Sequence, residues 1–122
     1  MTRSTERNTL LADVIITAVE GGTGYWAAVS GYKWSDEAPE TTRATLHELN
    51  EDGTDYDGDQ HVLTVDAIAT GLGRIRRGEV AVNSMVRESI TLADRENDAG
   101  YIDADGADVI TQAALLNEIR YG

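Results

Sequence analysis

Val19-Glu20-Gly21-Gly22-Thr23-Gly24-Tyr25-Trp26-Ala27-Ala28-Val29-Ser30-Gly31-Tyr32-Lys33-Trp34 is the stretch whose reading decides the fold. It holds both tryptophans, two of the five tyrosines and four of the twelve glycines, in a chain with no Phe and no Cys. An apolar helical stripe runs into Gly21 and Gly22, where a helix can end in the left-handed conformation that glycine adopts cheaply. β-Favouring aromatics follow at once. The switch from a 3.6-residue to a two-residue period therefore falls inside this stretch.

Upstream, Ser4–Glu20 is predicted as a helix capped by Ser4, with Leu10, Leu11, Val14, Ile15 and Ala18 on one stripe. Arg7 stands where a capping-box Glu would sit, so the box is absent. Downstream, Tyr25–Trp34 is predicted as a strand. Strict alternation places Tyr25, Ala27, Val29 and Gly31 on one side, and Trp26, Ala28, Ser30, Tyr32 and Trp34 on the other. Gly31 marks a bulge or a close backbone approach.

The remaining elements follow from alternation, caps and glycines. Ser35–Glu40 is a polar loop, and Thr41–Leu49 a second strand antiparallel to the first. Asn50–Gln60 is a turn-rich acidic loop, and His61–Val65 a short third strand. Asp66 caps a helix over Ala67–Arg77, striped by Ile68, Leu72 and Ile75 and stopped by Gly78. Gly71 and Gly73 each weaken that helix by roughly 1 kcal/mol relative to Ala. Asn83–Asp94 is a further helix with Val86, Ile90 and Ala93 on one face, and Glu96–Asp103 an acidic loop. Asp105–Asn117 is the final helix, burying Val109, Ala113 and Leu116 with Ile110 and Ala114 beside them. Glu118–Tyr121 follows as an edge strand or a docked tail. The expected class is α+β: one domain over 1–122, with a small antiparallel sheet of about three strands and the helices packed on one face.

Composition narrows function. The formal charge is −12, from 22 acids against 10 bases, of which Lys33 is the only lysine. Such a chain repels nucleic acid and anionic membranes, and suits a basic partner. No run of eighteen apolar residues and no secretion signal is visible, which points to the cytoplasm. Zero cysteine removes disulfides and thiolate metal sites.

No catalytic signature stands out. His47 and His61 are the only histidines, and neither a Gly-x-Ser-x-Gly elbow nor a His-Glu-x-x-His pair occurs. The glycines around Gly71-Leu72-Gly73 lie within a helix and lack a phosphate-loop lysine. The acidic loops Glu48–Asp59 and Asp94–Asp108 hold six acids each, yet neither keeps the calcium-loop register. From Glu48, Asn50, Asp52 and Gly53 fit but Asp59 stands at position 12; from Asp94, Ala99 stands where Gly is needed. The expectation is a protein with no metal, no cofactor and no reaction.

Two groups remain as a candidate binding site. Tyr25, Trp26, Tyr32 and Trp34 offer flat rings for a planar ligand. Arg74, Arg76 and Arg77 put three of the ten bases within four positions, and could grip phosphate or carboxylate. Those arginines also close a helix, where cations meet the dipole favourably. Two readings follow: a binder of a small anionic, nucleotide-like ligand, or an acidic inhibitor that imitates nucleic acid against a basic protein. A symmetric homo-oligomer suits either.

The Glu20-Gly21-Gly22 and Tyr25-Trp26 stretch, with the ending Glu118-Ile119-Arg120-Tyr121-Gly122, resembles small accessory proteins carried by bacteriophages and mobile elements, including phages of actinobacteria. What the resemblance implies is a genomic setting rather than a reaction; small phage-borne accessory proteins often act against host defences, by occupying a host protein or sequestering a nucleotide signal in the host cytoplasm.

Overall fold

Ser4 accepts a hydrogen bond from the Arg7 amide and starts helix α1, Thr5–Thr17. Such a cap is worth about 1 kcal/mol. The computed structural model describes residues 3–49 and 59–122, so most of the acidic Asn50–Gln60 loop, with the Asn50, Asp52 and Gly53 register, lies outside the described residues. Leu10, Leu11, Val14, Ile15 and Ala18 are all buried, as their spacing predicts.

The end of the first helix differs from expectation. The chain widens into a π-helical turn over Ala18–Gly22, and neither Gly21 nor Gly22 is left-handed. Close packing explains Gly22 instead: a Cβ there would lie 2.8 Å from the Ala104 carbonyl oxygen. Glycine stands here for contact with another helix, not for a left-handed stop.

The sheet has the order β1-β2-β3, antiparallel throughout, from Ala27–Lys33, Arg43–Glu48 and Gln60–Thr64. Tyr25 and Trp26 precede β1 in a turn, where the Trp26 and Ala27 amides both donate to the Thr23 carbonyl. Gly31 is left-handed (φ 58°), and the pairing shifts between Ser30↔Thr45 and Lys33↔Arg43. Gly31 and Tyr32 together oppose Ala44, which makes this a bulge with glycine in its strained position. The bulge reverses the alternation beyond it. Tyr32 turns to the core side, donating to Glu20, while Lys33 joins Ser30 on the opposite face. The single aromatic row expected from strict alternation is therefore broken twice, by the turn at Trp26 and by the bulge at Gly31.

Helix α2, Val65–Arg76, is capped by Thr64 rather than Asp66. Helix α3, Ser84–Glu96, is capped by Asn83, and α4, Ala104–Leu115, by Asp103. Ile68, Leu72, Ile75, Ile90, Ile110 and Ala113 share one buried core with α1 and with Ala44, Leu46 and Leu63 of the sheet. The fold is α+β as expected. Among the described residues, the sheet face carrying Ser30, Lys33, Arg43, Thr45, His47 and Val62 has no helix over it. No helix of the described residues is long and apolar enough to cross a membrane.

Helix α4 departs from the expected stripe. Val109 and Leu116 are only half-buried, whereas Asp108, Thr111 and Gln112 are buried. The helix is rotated so that a polar strip faces inward; partners meet Asp108 and Gln112 there, whereas the buried Thr111 hydroxyl has none among the described residues.

Candidate functional site

Asp108 and Gln112 stand one turn apart on α4 and order a polar network beneath the 118–122 segment. The Asp108 carboxylate accepts from the Trp26 indole N–H at 2.8 Å, the Tyr25 hydroxyl at 2.5 Å and the Gln112 amide at 3.1 Å. Gln112 is fully buried. Its Oε1 accepts from the Arg120 and Tyr121 amides at 2.8 and 2.9 Å, and its Nε2 donates to the Tyr121 carbonyl at 3.1 Å. One side chain thus does for the segment what a neighbouring strand would do. The docked tail is realised, and the edge strand is not.

Tyr121 lies flat on Trp26, with ring centroids 5.0 Å apart and planes inclined by 7°. Its hydroxyl donates to Glu48 at 2.5 Å, and the same carboxylate meets Arg120 at 3.0 Å and His61 at 2.9 Å. Burial pushes the Glu48 carboxyl up, but the hydrogen bonds from His61 and Tyr121 and the charge of Arg120 outweigh it and hold it below its ordinary 4.5. The Tyr121 phenol is raised above 10.0, first by its bond to Glu48 and then by burial.

These shifts give a pH window for docking. A depressed carboxyl adds stability that is complete above 4.5 and is lost as pH falls through the lower folded value. A raised phenol adds stability that is complete below 10.0 and is lost as pH rises through the higher folded value. Tryptophan emission in a Trp34→Phe background is expected to report segment release at both extremes. Glu48→Gln should remove most of the acid limb, and an unchanged acid limb would count against Glu48 as its source.

The arginines are held by the fold. Arg74 reaches from α2 to the Ala113 and Ala114 carbonyls at 2.8 and 3.0 Å, supplying the cation that the last turn of α4 lacks. Arg76 pairs with Asp94 at 2.9 Å, which Arg7 also binds, tying α1, α2 and α3 together. Arg77 pairs with Glu79. Of the aromatic candidates, Tyr25 and Trp26 meet on Asp108, but Trp26 is sealed at 2 % exposure. Tyr32 is turned to Glu20, and burial with that hydrogen bond pushes its phenol up to about 12. Trp34 alone of the two indoles stands in solvent, at 57 %. Apart from Trp34, the expected rings and guanidiniums are thus dispersed over separate partners, since each of them found a better-placed carboxylate or carbonyl inside the chain.

Sequence reading missed Asp108, Gln112 and Glu48. The available signal was the polar tip of Trp26, which requires a partner once the ring is buried. It also missed the rung on the open sheet face where Lys33 stands directly opposite Arg43. Below it on the same face are the Ser30–Thr45 rung and His47, whose Nε2 lies 2.8 Å from the Ser30 hydroxyl. Both cations are exposed, and among the described residues neither has an ion-pair partner. Among the described residues no three His, Asp or Glu side chains gather as a metal site would need. No family model, curated protein or solved structure matches this chain.

Proposed function

We propose that this chain is a non-enzymatic binder of a small anionic, nucleotide-like ligand, whose charged group meets Lys33 and Arg43 and whose planar part stacks on Trp34. The observation that carries it is the Lys33–Arg43 rung. Like charges directly opposite on antiparallel strands repel. In a chain of formal charge −12, carboxylates were plentiful to neutralise them. Instead a bulge re-aims the single lysine onto the arginine, one residue before the exposed indole. A bound anion relieves the repulsion and gives the acidic surface the local positive sink that such a ligand needs. The resemblance to phage-borne accessory proteins suggests a host-cytoplasmic setting and a sequestered nucleotide signal.

Calorimetric titration with linear and cyclic nucleotides tests this. Lys33→Ala/Arg43→Ala is expected to weaken binding by roughly tenfold or more, a loss of about 1.4 kcal/mol or greater. Trp34→Ala should cost about 1–3 kcal/mol. Arg76→Ala/Arg77→Ala should leave affinity unchanged. Failure of every nucleotide to bind, or equal binding by the Lys33/Arg43 variant, ends this reading.

One observation favours an acidic inhibitor of a basic host protein instead. Arg3, Arg7, Arg76, Arg77 and Arg120 are neutralised by carboxylates within the fold, while Asp36, Glu37, Glu40, Glu96 and Asp105 stay exposed. Complex formation with a DNA-binding protein would then weaken steeply with salt.

A further inference from the structure

The 118–122 segment is recognised by its groove in the way a partner peptide would be. Its described backbone bonds, at Arg120 N–H, Tyr121 N–H and Tyr121 C=O, all go to the Gln112 side chain and none to another backbone. Side-chain identity is read as well. The Tyr121 ring lies on Trp26, its hydroxyl meets Glu48, and the Arg120 guanidinium meets Glu48 and Glu118. The receiving groups belong to other elements: Trp26 to the turn before β1, Glu48 to β2, Gln112 to α4. An open groove of about 520 Å³, lined by Tyr25, Asp105, Val109, Ile119 and Gly122, continues beside the segment. The link to α4 runs through Asn117, left-handed at φ 58°, a conformation that only a few residue types tolerate. Release of the Gln112 amide, the Trp26 stack and the Glu48 carboxylate therefore frees the segment, without melting a helix or a strand.

We propose that the cleft of Trp26, Glu48 and Gln112 is a receptor for an Arg-Tyr segment, and that the occupant able to replace the chain's own residues 118–122 is the same segment of a second copy. Both halves of the contact are present in every copy, so mutual exchange about Asn117 closes a two-fold pair with no new interface chemistry. The acidic cleft matches the incoming guanidinium in charge. In the wild type the chain's own segment competes at an effective concentration on the order of millimolar, which keeps the closed form dominant. The exchange is independent of any nucleotide, and its test involves none.

The test is complementation between full-length variants. Gln112→Ala keeps the segment but loses its clamp, and Tyr121→Ala keeps the clamp but loses its ring. Each closes on itself more weakly than the wild type, and only the mixture brings an intact segment, on Gln112→Ala, to an intact cleft, on Tyr121→Ala. Each alone is expected to sediment as a monomer, and their equimolar mixture as a heterodimer joined through that one exchanged segment. A mixture that stays monomeric, with both variants folded by circular dichroism, overturns the proposal. Should Gln112→Ala fail to fold, a synthetic peptide of residues 117–122 is titrated into Tyr121→Ala/Trp34→Phe, with Trp26 emission as readout. Saturable binding, weakened roughly tenfold when the peptide tyrosine is replaced by alanine, supports the receptor. No binding, or binding indifferent to that replacement, overturns it.

Discussion

Gly71→Ala is expected to destabilise the protein by about 1–3 kcal/mol, the usual cost of overpacking. Gly73→Ala, two residues on in the same helix, is expected to stabilise it by up to about 1 kcal/mol. Both glycines are buried in α2. A Cβ on Gly71 would meet the Ile110 carbonyl oxygen at 2.7 Å, the Ala114 Cβ at 2.9 Å and the Ala114 nitrogen at 3.0 Å. Two of those are α4 backbone atoms that cannot yield without parting the helices. Separation would also draw Arg74 away from the Ala113 and Ala114 carbonyls, uncapping α4. A Cβ on Gly73 meets the tips of Arg77 and Arg76 instead, which can swing into solvent. Helix propensity then decides, in favour of alanine. Chemical denaturation of the two variants side by side checks this, and equal losses at both positions would refute the close-approach account.

The second large effect is expected at Asp108. Asp108→Ala strands the buried Trp26 indole N–H and takes one acceptor from the Gln112 amide. A buried donor left unpaired costs about 1–3 kcal/mol. The exposed Tyr25 hydroxyl can turn to water, so its loss adds little. A total near 3 kcal/mol is anticipated, with Trp26 emission shifted as the Tyr121 stack loosens. Gln112→Ala should release the segment at a smaller stability cost, because the freed Arg120 and Tyr121 amides reach solvent. Asp108→Ala costing less than Gln112→Ala would reverse the hierarchy assigned to the network.

Much of the architecture was legible from local pattern. Ser4 at the start of α1, the stripe Ile68, Leu72 and Ile75, and the alternation of Arg43–Glu48 each depend on neighbours within a few residues. The bulge at Gly31 was legible as a possibility, but its consequence was not. A glycine in a strand reveals neither how many residues its partner strand sets against it nor which face resumes beyond it. The candidate site was legible only as a set of residue types. Arg74, Arg76 and Arg77 are adjacent in sequence, yet their partners sit 40, 18 and 2 residues away.

The sequence by itself determined the order and kind of the elements, since capping, hydrophobic period and turn chemistry act over one or two turns of chain. Only the tertiary structure decided which polar side chains turn inward. Asp108 and Gln112 could be buried because Trp26, Tyr25 and the 118–122 segment brought donors and acceptors to them from up to 83 residues away. A buried carboxylate or amide is costly without a partner beside it. That partnership is a property of the folded chain, and it also left Lys33, Arg43 and Trp34 as the exposed groups from which the proposed function is read.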